Sequence, residues 1–88
     1  MKIKEGFVLR TVMGNNVAVA TKEASKSFRG MIQLNNSAAD IWKFIEEGLS
    51  QDEICAKMQE KYDTDPKNIR DDVKHVIEVL SENGILEL

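Results

Sequence analysis

Met31-Ile32-Gln33-Leu34 runs without a break into Asn35-Asn36-Ser37-Ala38-Ala39-Asp40-Ile41-Trp42-Lys43-Phe44-Ile45-Glu46-Glu47-Gly48, and then into Leu49-Ser50-Gln51-Asp52-Glu53-Ile54. The first four residues are a short apolar strand. The chain then changes period: Ala38, Ile41, Trp42 and Ile45 recur at helical spacing and give one apolar face. Asn35 or Asn36 can cap the start of that helix, and Gly48 supplies a left-handed stop. Ser50 followed by Glu53 is a capping box, in which each side chain satisfies an amide of the other residue. Strand, capped helix, stop and second capped helix follow one another, with no catalytic group among them.

Upstream, Phe7 to Met13 is rich in strand formers, Gly14-Asn15-Asn16 has turn chemistry, and Val17 to Thr21 is a second strand. This predicts a β-hairpin, joined by the polar stretch 22–30, with Phe28 folded inward, to the third strand at Met31. Downstream, Ile54, Met58 and Tyr62 line the second helix, with Cys55 beside them. Asp65-Pro66 opens a third helix, an N-cap followed by a proline whose missing N–H is not needed there. Ile69, Val73, Val76, Ile77 and Leu80 form its stripe, and Gly84 ends it. Ile85 to Leu88 is expected to form a last short strand or to close the core. The expected class is α+β, a winged helix-turn-helix-like order with a three-stranded antiparallel sheet followed by three helices.

With 88 residues, this chain reads as one domain, 1–88. A chain of this size buries only about 60–65 % of its unfolded surface, which leaves little room for an enclosed active site. Charge is unevenly placed. Residues 1–30 hold six basic and two acidic side chains, and residues 31–88 hold six basic and thirteen acidic, so a net +4 stands against −7. A polyanion would be repelled by the helical part. The single cysteine excludes an internal disulfide, and there is no signal-peptide core or membrane-length apolar run. A soluble, cytoplasmic protein is the expectation.

The reactive residue types do not assemble into chemistry. His75 is the only histidine and is expected to face solvent, far in sequence from Cys55, so a metal site lacks ligands. Cys55 adjoins a core position with no nearby base and reads as packing. Asp71 and Asp72 point about 100° apart on a helix, which suits a solvated face rather than an acid–base pair. Trp42 reads as a core aromatic. A winged helix also suggests nucleic-acid binding. However, the third helix sets Lys67, Arg70 and Lys74 against Asp71, Asp72, Glu78 and Glu82, and carries no base-reading cluster. Nucleic acid is therefore the alternative and not the leading partner. A subunit role or homodimer through the strand edge is a third reading, beside a monomer.

The run Arg29-Gly30, then Leu34-Asn35-Asn36-Ser37-Ala38-Ala39-Asp40-Ile41-Trp42, resembles the PqqD family, named for coenzyme PQQ synthesis protein D. The likeness continues through Gly48, the helix Ser50–Tyr62 and Gly84-Ile85-Leu86. The resemblance implies a RiPP precursor peptide recognition element: a cytoplasmic, non-catalytic adaptor without a cofactor. Such a domain holds the leader of a ribosomally made precursor peptide and presents it to a modifying enzyme, often a radical SAM protein. PQQ biosynthesis is one of several pathways it could serve. The leader docks in the family as an extra strand, which places it here on Met31, Ile32, Gln33 and Leu34. The groove wall comes from the third helix, for which Asp72, Val76 and Val79 are the candidates. An exposed strand edge is the template that β-augmentation uses. Proline at Ile32 is expected to remove one of its donors.

Overall fold

The structure is a computed structural model and describes residues 1–21 and 31–87. The connection 22–30, with the expected inward Phe28, lies outside the described residues. The elements are β1 (Lys2–Ile3), β2 (Phe7–Val12), β3 (Asn15–Ala20), β4 (Met31–Leu34), α1 (Asn36–Glu46), α2 (Gln51–Lys61), α3 (Pro66–Glu82) and β5 (Leu86–Glu87). β2, β3 and β4 form an antiparallel sheet in that order, so the expected three strands followed by three helices are present. β1 and β5 pair separately, Lys2 with Glu87 and Ile3 with Leu86. The tail therefore closes on the N-terminus and leaves the outer margin of β4 alone.

The hairpin turns one residue earlier than the asparagines suggest. Val12 pairs with Asn15, so the loop is Met13-Gly14, with φ of 51° and 82°. Two positive φ values in a two-residue loop are a type I′ turn, whose twist matches the strands. Glycine takes that conformation freely, whereas Met13 occupies it as a 96 % exposed side chain. Asn15 and Asn16 belong to β3. Asn16 Nδ2 donates to Asn36 Oδ1 at 3.0 Å, and Gln33 Nε2 donates to Asn15 Oδ1 at 3.3 Å, so both amides tie the hairpin to β4 and α1.

Each helix begins where its caps dictate. Asn35 Oδ1 accepts from the Ala38 amide at 2.8 Å, and Ser50 with Glu53 closes the reciprocal box. Asp65 Oδ1 accepts from Lys67 N at 2.8 Å, with Pro66 next. Gly48 (φ 87°) and Gly84 (φ 72°) turn the chain out of α1 and α3. The core is the meeting of the three apolar stripes with the inner sheet face: Ile41, Trp42, Ile45, Ile54, Val73, Leu80 and Ile85 are fully buried, with Ala18 and Leu34 beneath them. Trp42 is thus core, as its spacing predicts.

A polar clasp holds the end of α2 to α1. Tyr62 Oη donates to Asp40 Oδ2 at 2.6 Å, and Lys61 Nζ lies 2.9 Å from the same oxygen. Partial burial pulls the Asp40 pKa upward, but the Tyr62 hydrogen bond and the Lys61 ammonium outweigh it and hold the carboxyl below its ordinary value. A carboxyl whose folded pKa is lowered contributes stability above its unfolded pKa and loses it as pH falls through the folded value. Tyr62→Phe is expected to destabilise the fold by about 1–2 kcal/mol at neutral pH. In thermal melts, the gap between variant and wild type should close only in strong acid, below the ordinary aspartate range. A gap that persists there would assign the effect to packing.

Candidate functional site

The register decides which β4 groups are free. Antiparallel pairs alternate between those that exchange main-chain hydrogen bonds and those that do not. The two-residue turn makes Val12 and Asn15 a bonded pair, and the phase is fixed again at the far end, where Thr21 N donates to Gly6 O at 2.6 Å. Asn15, Val17 and Val19 therefore bond toward β2, and Asn16 and Ala18 bond toward β4. Their partners are Leu34 and Ile32. The main-chain groups of Ile32 and Leu34 are spent on β3, and those of Met31 and Gln33 point to the outer margin. This corrects the expectation for proline at Ile32: that donor belongs to the sheet's own ladder, and the outward donor of the central pair is on Gln33.

Side chains alternate with the same period. Leu34 is buried and Ile32 half-buried on the core face, while Gln33 and Met31 are exposed, Met31 at 65 %. Beside the free margin lies a groove of about 250 Å³, bounded by Ile32, Gln33 and Leu34 on one side and by Asp72, Val76, Val79 and Leu80 of α3 on the other. Asn35, Ser37 and Ala38, at the start of α1, line the end nearest Leu34. The structure thus brings together Ile32, Gln33, Leu34, Asp72, Val76 and Val79. Met31 stands at the head of β4, outside the groove lining. Val76 and Val79 are half-buried, part of the wall as well as the flank of the core.

His75 is exposed, as expected, and it also lines this groove. Its position was recoverable from spacing, since it lies three residues from Asp72 and four from Val79 on one helix. The α1 residues were recoverable too, because a chain leaving β4 directly into a helix must set its first turn beside the groove.

The groove lining offers backbone, apolar and polar groups suited to binding. Cys55 is partly buried, and burial together with the Asp52 carboxylate raises its thiol pKa against a smaller pull from Arg70, the opposite of nucleophile activation. Among the described residues, no three His, Cys, Asp or Glu side chains converge as metal ligands, and no helix is long and apolar enough to cross a membrane.

Two solved structures share this architecture. One is described as TbiB1 in complex with the TbiA(beta) leader peptide: it is 22 % identical, with a TM-score of 0.79, covering 99 % of this chain and 95 % of that one. The other is a lasso peptide synthetase B1 complexed with the leader peptide: it is 18 % identical, with a TM-score of 0.76, covering 96 % of this chain and 93 % of that one. At these identities the likeness is one of fold. No curated protein matches the chain. The family model for coenzyme PQQ synthesis protein D matches residues 11–86, most of the sequence, and the chain belongs to the PqqD family.

Proposed function

We propose that this protein is a non-catalytic adaptor that binds the leader segment of a ribosomally synthesised precursor peptide. The leader adds as a strand to the outer margin of β4, over the groove facing α3. The observation that carries the proposal is the juxtaposition of outward-facing backbone groups on Met31 and Gln33, without a partner among the described residues, with an apolar wall from Val76, Val79 and Leu80. An added strand would gain main-chain bonds from the first and side-chain burial from the second, which is the division of labour in β-augmentation. Family membership and the leader-bound state of both structural neighbours support the same reading. The held precursor would be presented to a modifying enzyme, with a radical SAM enzyme the favoured type, in the cytoplasm, and the adaptor would work as a single domain. The acidic α3 argues against nucleic acid as the partner.

The test is an amide chemical-shift titration of the labelled protein with a leader peptide. The largest shifts are expected in β4 and on the groove side of α3, around Asp72, Val76 and Val79. Shifts concentrated at the Met13-Gly14 hairpin tip, with β4 silent, would reject the site.

A further inference from the structure

The groove does not end at Leu34. A second concavity, of about 350 Å³, opens beyond it between the first turn of α1, the end of α2 and the start of α3, with Met58, Tyr62, Thr64 and Ile69 in its lining. The two share Asn35, Ser37 and Asp72. A peptide that leaves β4 past Leu34 must cross this junction.

Among the described residues, the junction holds one uncommitted charge. Asn35 Oδ1 already accepts from Ala38 N and from Ser37 Oγ, at 2.8 and 3.0 Å. Asp40, behind Tyr62, is neutralised by Lys61. The Asp72 carboxylate has neither a hydrogen bond nor an ion pair among the described residues, and no lysine or arginine from those residues lines either concavity. One helical turn away on α3, Asp72 has Asn68, Ile69, His75 and Val76 as neighbours, none of them a lysine or arginine. Residues 31–88 as a whole carry a net −7, so the surrounding field has the same sign.

We infer that Asp72 is a specificity-determining residue. It selects a lysine or arginine on the bound peptide, at the point where that peptide leaves the β4 margin beside Leu34. The inference rests on the peptide-binding reading above and adds the chemical class of residue the site prefers. An acidic side chain there would face an uncompensated carboxylate, a neutral one would leave that carboxylate unpaired, and a cation would form a charge-assisted hydrogen bond at the groove's rim.

Selection from a displayed library of random peptides, long enough to span both concavities, tests this on the wild-type chain, Asp72→Asn and Asp72→Lys. Gln33→Pro serves as the control that blocks the margin. Asp72 is exposed on a helix, so these variants should keep wild-type circular dichroism. The wild-type pool should be enriched in lysine or arginine at one position flanking an apolar strand-forming segment. That enrichment should vanish with Asp72→Asn and give way to aspartate or glutamate with Asp72→Lys. A selected basic peptide should bind Asp72→Asn roughly three- to tenfold more weakly than wild type. Peptides that need Gln33 yet show no basic preference, or show the same one with Asp72→Asn, would overturn the inference and leave the adaptor reading standing. A wild-type pool retaining nothing beyond the Gln33→Pro control would overturn both.

Discussion

Gln33→Pro is expected to weaken leader-peptide binding roughly ten- to a hundredfold while leaving the fold in place. The reasoning is geometric. Gln33 pairs with Val17 in a non-bonded position of the ladder, so its N–H faces away from the sheet. Proline is tolerated on an edge strand when the missing N–H would have faced solvent, and the loss of stability should stay within about 1 kcal/mol. An added strand would then lose a central hydrogen bond and meet a pyrrolidine ring in its path. Ile32→Pro is the informative contrast. Its donor belongs to the bond with Ala18, so the same substitution one residue earlier should destabilise the sheet by about 3 kcal/mol or more and lose binding through unfolding. Anisotropy with a fluorescent leader, alongside thermal melts, separates the two. If both proline variants fold and bind alike, the assigned phase of the ladder is wrong.

Trp42→Ala should cost about 3–5 kcal/mol, enough to lower the melting temperature by roughly 20 °C or to abolish folding. Trp42 is fully buried among Ile41, Ile45, Ile54 and Leu80. A domain of this kind has only about 5–15 kcal/mol of stability in total, so one such cavity removes much of it. Trp42→Phe should be far milder. The indole Nε1 is buried without a hydrogen-bond partner among the described residues, so phenylalanine removes an unsatisfied donor along with part of the ring. A loss below about 1.5 kcal/mol is expected, with leader binding retained, because α1 still places Asn35, Ser37 and Ala38 at the end of the groove. Chemical denaturation of the three proteins checks the order.

The helices were legible because their signals are local. Ser50 with Glu53, Asp65 with Pro66, and the glycines at 48 and 84 each act within a few residues of one another, and the apolar stripes carry their own period. The hairpin was legible in kind but not in phase. Asn15 and Asn16 carry turn chemistry, yet their side chains are used to reach Gln33 and Asn36, contacts with no local signature. The pairing of Lys2-Ile3 with Leu86-Glu87 joins the two ends of the chain through two-residue strands, too short to show alternation. The groove was legible in part. Its strand and helix flank followed from the PqqD resemblance together with the helical phase of Val76 and Val79. Which β4 donors are free did not, since that depends on a turn position one residue from the expected one. A lone histidine carries no groove signal of its own, and only its spacing from Asp72 and Val79 places His75 on the groove flank.

Amide hydrogen exchange along β4, followed residue by residue without and with saturating leader peptide, bears most directly on whether this margin accepts a foreign backbone. The free protein should protect Ile32 and Leu34 and leave Met31 and Gln33 exchanging fast, and the peptide should slow Met31 and Gln33 to match. Slow exchange at Gln33 before any peptide is added, or fast exchange there in the saturated complex, would contradict strand addition at β4.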